Sequence, residues 1–142
     1  MVISHILSQL LVSRSCYNKL SIHNRSKPLN GEKIARKIVE VASDKLAEDI
    51  VLLDVRELCS FADYFVICSG ASQRQTSAIA DEIDKTLHKK GPKLQHREGN
   101  VESGWLLMDY GDIIVHIFGA DERKFYQLDK LWAKAVPLIR IE

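Results

Sequence analysis

Apolar positions along the chain change their period several times, and each change marks an element. Ile34, Ile38, Val41, Ala42 and Leu46 recur at three- and four-residue spacing, which predicts a helix from about Glu32 to Ala47. Glu32 and Arg36 add a favourable i,i+4 pair to it. Two unbroken apolar runs follow, Ile50-Val51-Leu52-Leu53-Asp54-Val55 and Tyr64-Phe65-Val66-Ile67-Cys68. Runs without polar alternation predict strands covered on both faces. The polar stretch Arg56 to Asp63 joins them.

Ser69-Gly70-Ala71-Ser72 breaks the second strand and offers Ser72 as a helix N-cap. Ile79, Ile83 and Leu87, with Ala78 and Ala80, give the next helix its stripe, which Gly91-Pro92 ends near Lys90. A short strand is expected across Lys93 to Glu98, with Leu94, His96 and Glu98 on one side. Trp105 to Met108 and Ile113 to Phe118 flank Asp109-Tyr110-Gly111-Asp112, a hairpin in which Gly111 can take a positive φ. A last helix from about Asp121 to Lys134 would bury Phe125, Leu128, Leu131 and Trp132. Pro137 leads a short tail. The order α-β-β-α-β-β-β-α predicts an α/β (α+β-like) domain, a mixed five-stranded sheet packed with helices, over residues 32–142.

The first 31 residues stand apart. They carry six serines, Arg14, Lys19, Arg25 and Lys27, no acid, and an apolar opening from Val2 to Val12. That composition fits an organelle transit peptide, and equally an upstream start outside the fold. The remaining body holds sixteen basic residues against all 19 acids, a net charge of −3. A mildly acidic body argues against specific nucleic-acid binding and suits a basic protein partner. Cys16, Cys59 and Cys68 are an odd number without C-x-x-C spacing, which points to a reducing compartment and to neither disulfides nor zinc. No apolar run approaches the roughly 20 residues of a membrane span.

Three stretches carry a resemblance: Asp63 to Gln75 (DYFVICSGASQRQ), Gly104 to Phe118 (GWLLMDYGDIIVHIF) and Glu122 to Trp132 (ERKFYQLDKLW). In order and spacing they resemble the ribosomal silencing factor, or Iojap, family, and the likeness runs from about Ile34 to Trp132. The resemblance implies a fold related to nucleotidyltransferases without their catalytic apparatus. It implies binding to ribosomal protein uL14 on the large ribosomal subunit, a steric block to joining of the small subunit, and lowered translation when nutrients are scarce. It implies a cytoplasmic, ribosome-associated protein, or a mitochondrial or plastid one if residues 1–31 are a transit peptide.

Enzyme chemistry is the rival reading. Ser69-Gly70-Ala71-Ser72 could cradle a phosphate at a helix N-terminus, with Asp109 and Asp112 on magnesium. Two carboxylates three apart across a turn do not share a strand face, however, and Ser72 is accounted for as a cap. A Cys68/His116 nucleophilic pair is conceivable, but His116 reads better as a core histidine. His88, His96 and His116 lack ligand spacing, so neither metal nor cofactor is expected.

For binding, Trp105, Leu107 and Asp109 share one strand face, and Leu106, Met108 and Tyr110 the other. A sheet packed on one side would expose one set as an interface; the competing reading places Trp105 in the core. Asp109, Asp112, Asp121 and Glu122 cluster around the hairpin and the last helix, with Arg123 and Tyr126 off its apolar stripe. The expected partner-binding set is therefore Trp105, Asp109, Tyr110 and Asp112, then His116, Glu122, Arg123 and Tyr126. A homodimer away from the ribosome is a further expectation.

Overall fold

The computed structural model describes residues 28–59 and 61–142; residues 1–27, with the transit-like segment, lie outside the described residues. Helix α1 (Pro28–Asp44) leads into strands β1 (Glu48–Asp54) and β2 (Tyr64–Gly70). Helix α2 (Gln73–Lys90) then precedes β3 (His96–Asn100), β4 (Trp105–Asp109) and β5 (Ile113–Gly119). Two short helices, α3 (Ala120–Tyr126) and α4 (Leu128–Leu131), connect to a last strand, β6 (Val136–Ile141). Helix α1 thus begins earlier than the periodicity indicated, at Pro28, which suits the first turn because it lacks the N–H that would go unpaired there.

The mixed α/β architecture is as expected, but the sheet has six strands, ordered β3-β4-β5-β2-β1-β6. Only β2 and β5 run parallel; every other neighbouring pair is antiparallel. The sixth strand is the segment after Ala135 that reads as a tail. It pairs Ile141 with Ile50, Arg140 with Val51 and Ile139 with Leu52. Pro137 hides it from sequence reading, yet proline is tolerated on an edge strand, where a missing N–H can face away from the ladder.

Side chains alternate between two cores. On one face, Ile38 and Ala42 of α1 and Ile79 and Ile83 of α2 bury Leu52, Val66, Leu106, Val115 and Ile117. On the other, Val51, Phe65, Ile67, Trp105, Leu107, Ile114 and Phe118 lie under Leu128 and Ala135, with Tyr126 and Trp132 half-buried against them. Cys59, Phe61 and Ala62 of the β1–β2 connection complete that layer. The open sheet face expected from the sequence is therefore absent: both halves of the β4 alternation are buried.

Two side-chain devices hold the junction between α1 and α2. Ser72 accepts the Gln75 amide N–H at 3.1 Å, the predicted cap. The Gln75 side chain accepts from the Ala71 N–H and donates to the Lys45 and Leu46 carbonyls, joining the end of α1 to the start of α2. The expected single helix over 121–134 is broken at Gln127, which sits left-handed at φ 44°, ψ 48°. That break turns Phe125 outward, 79% exposed, instead of onto the core, while Leu128 stays buried. No helix of the described residues is long and apolar enough to cross a membrane.

Candidate functional site

The β4–β5 hairpin closes through Gly111 and Asp112. The Tyr110 N–H donates to the Ile113 carbonyl at 2.9 Å, and Gly111 takes φ 93°, a conformation a Cβ would strain. The Asp109 carboxylate accepts the Gly111 N–H at 2.8 Å, so this carboxylate belongs to the turn. The Asp112 carbonyl accepts from the Asp63 and Tyr64 N–H groups, which ties the hairpin tip to the start of β2 and leaves the Asp112 side chain exposed. The Tyr110 hydroxyl donates to Asp84 on α2 at 3.3 Å. Burial, reinforced by that carboxylate, pushes its ionisation well above the ordinary tyrosine range.

A second group lies at the far end of β5. The Trp105 indole Nε1 donates to His116 Nδ1 at 3.2 Å. Phe118 and Tyr126 stand 4.7 and 5.2 Å from the Trp105 ring, and Phe65 meets His116 edge-on at 5.2 Å. His116 is 1% exposed, and burial, with the nearby positive Arg123, lowers its pKa from 6.5 to about 3. With Nδ1 accepting, the ring is neutral and Nε2 carries the proton. Arg123 itself reaches back to the Ser69 hydroxyl at 3.2 Å. Glu122 packs over Gly104 and Gly119, where any Cβ would fall 2.1 Å from its Cδ and 2.4 Å from its Oε2 respectively. The Gly119 N–H donates to the Gly104 carbonyl beneath it.

The eight expected residues therefore divide between two ends of one strand. Asp109, Tyr110 and Asp112 gather at the hairpin end. Trp105, Glu122, Arg123 and Tyr126 gather at the α3 end, with His116 beneath them. Seven residues of β5 separate the groups, on the order of 20 Å at about 3.3 Å per residue. Trp105, 2% exposed, is core and shapes what stands above it; so do Asp109, Tyr110 and His116. Asp112 is exposed, and Glu122, Arg123 and Tyr126 are half-exposed. Phe125, which the helical spacing assigned to the interior, joins them with its ring edge-on to Tyr126 at 4.9 Å. Nothing in the local sequence marks Gln127 as left-handed, since that role usually falls to glycine or asparagine.

The enzyme constellations do not assemble. Cys68 points to the α1/α2 side and His116 to the other, so the sheet lies between thiol and imidazole. Burial also pushes the Cys68 thiol up to about 12, far from a nucleophile. Among the described residues no group of three or more histidines, cysteines or acids is placed to hold a metal.

The geometry defines a class first: an α/β domain with a six-stranded mixed sheet, covered on both faces, that presents side chains at the ends of its sheet. The family described as "Ribosomal silencing factor during starvation" matches residues 28–142. The "Ribosomal silencing factor RsfS" of Bacillus subtilis is 42% identical over 107 residues, 75% of this chain and 91% of its own length. The protein of the same name from Halalkalibacterium halodurans is 37% identical over 114 residues, 80% of this chain and 97% of its own. The crystal structure of protein CV0518 from Chromobacterium violaceum superposes with a TM-score of 0.70 at 28% identity, covering 74% of this chain and 88% of that one. The chain belongs to the ribosomal silencing factor family.

Proposed function

We propose that this chain is a non-catalytic translation repressor that docks on ribosomal protein uL14 of the large ribosomal subunit and holds the small subunit off by its bulk. The observation that carries the reading is the family match, which spans every described element from α1 to β6. The α3 end supplies the anchor for such docking: exposed Phe125 beside Tyr126, with Asp121 and Glu122 as acids for a basic partner. Asp112 offers a further charge at the hairpin end. Trp105, Asp109, Tyr110 and His116 act from beneath by fixing those positions. A specific interface of roughly 1,200–2,000 Å² is within reach of a domain this size.

Residues 32–142 form the working domain, it needs no cofactor, and it acts in the cytoplasm, or in an organelle if residues 1–31 are a transit sequence. The test is co-sedimentation with purified large subunits, followed by addition of small subunits. Comigration with large subunits and a reduced joined peak are expected. A protein that stays at the top of the gradient overturns the reading.

A further inference from the structure

One strongly charged segment plays no part in the site above. Residues 85–97 (KTLHKKGPKLQHR) hold five lysines or arginines, two histidines and no acid. The rest of the body over 32–142 then holds eleven basic residues against nineteen acids, so the near-neutral total conceals a polarised molecule. The segment runs from the last turns of α2, through Gly91-Pro92, into β3. Lys85, His88, Lys89, Lys93, His96 and Arg97 are exposed, while Leu87 is buried and Leu94 half-buried beneath them.

The segment is also held in place. The Gly91 N–H donates to the Leu87 carbonyl at 2.7 Å, and the Gln95 N–H to the Asp109 carbonyl at 2.8 Å. Tyr110 binds Asp84 one residue before it begins. Complementing the negative end of α2 accounts for Lys89, but not for Lys85 more than a turn before that end or for Lys93 and Arg97 beyond it. Arg97 meets Asp81 only loosely, at 3.8 Å between exposed side chains.

The chemistry of the patch selects its ligand. It exposes no phenylalanine, tyrosine or tryptophan ring on which an unpaired base could stack, only the two smaller imidazoles. Protein interfaces are depleted in lysine and centre on apolar or aromatic anchors, which the patch also lacks. Lysines act as point charges for phosphate, and a duplex backbone is read through charge rather than base identity. We propose that Lys85, Lys89, Lys93 and Arg97 form a sequence-independent contact for the phosphate backbone of double-stranded RNA. The choice of RNA over DNA rests on the ribosomal reading; the phosphate contact does not.

The test uses the full chain and a labelled 20-base-pair RNA duplex of arbitrary sequence, followed by fluorescence anisotropy. Four phosphate contacts predict a log–log salt slope of about −3 to −4, or roughly a 100-fold loss between 50 and 200 mM salt. Lys89→Gln combined with Lys93→Gln should lower that slope by about 2 and leave the melting temperature unchanged. Lys124→Gln with Lys134→Gln, elsewhere on the surface, should leave the slope alone. An absence of RNA binding at 50 mM salt overturns the proposal, as does a Lys89/Lys93 variant with the original slope. Tighter binding to a DNA duplex or to polyglutamate overturns the RNA assignment. Co-sedimentation of the unaltered chain with large subunits, run in parallel, decides the ribosomal reading independently of all these outcomes.

Discussion

His116 sits neutral in a box formed by Trp105, Phe65 and Phe118, and its low ionisation makes stability depend on pH. The folded imidazole titrates near 3 and the unfolded one near 6.5, so between those values the unfolded chain binds the extra proton. The stabilisation is complete above about pH 6.5 and falls away as pH drops toward 3, by at most ~1.4 kcal/mol per pH unit. Urea unfolding at pH 7, 6, 5 and 4 should show this slope, and His116→Phe should flatten it by one proton. A second contrast separates core from surface aromatics. Trp105→Ala empties a buried site and should destabilise the fold by about 3–5 kcal/mol in the same assay. Phe125→Ala removes an exposed ring, so stability should stay within about 0.5 kcal/mol while large-subunit binding weakens roughly 30-fold. Normal binding by the Phe125 variant would remove α3 from the interface.

Elements built on strong periodicity or on unbroken apolar runs were legible: α1, α2, β1, β2 and the β4–β5 pair all follow from spacing and turn chemistry alone. What escaped had a physical cause in each case. Proline at position 137 masks an edge strand, because the local chemistry that forbids a central strand is harmless at an edge. Phe125, Leu128 and Trp132 share a perfect helical stripe, and only the reversed backbone at Gln127 between them undoes it. Burial on both faces was legible for β1 and β2 from their unbroken apolar runs, but not for β4: the short helices and the Cys59–Ala62 connection that cover the second face carry no long amphipathic pattern. Of the candidate site, the residue types were readable but not their division between two ends, which depends on the length of β5. Because Gln127 pays the strain of a left-handed backbone, Gln127→Gly should stabilise the fold by about 0.5–1 kcal/mol, measured as a higher melting temperature. A lower melting temperature would show that the Gln127 side chain contributes more than its strain removes.

At the scale of the molecule, the six-stranded sheet lies between two ends of different composition. Long helices cover one face, and the α3–α4 cover of the other leaves an aromatic ring in solvent. The basic segment 85–97 adjoins the hairpin end through Asp109 and Tyr110, so the proposed phosphate contact and the proposed docking surface at α3 lie toward opposite ends of the sheet. The pairing of β6 with β1 has a kinetic side. Ile50 and Ile141 lie about ninety positions apart along the chain, and such distant contacts form slowly because a large loop must close first. Until it does, the Ile50-Val51-Leu52-Leu53 run keeps an unpaired apolar edge, the kind that recruits strands from other chains. Light scattering after dilution from urea should therefore rise steeply with protein concentration in the first moments of refolding and stop once β6 has docked. The outermost strand, the least conspicuous in sequence, guards the most adhesive one.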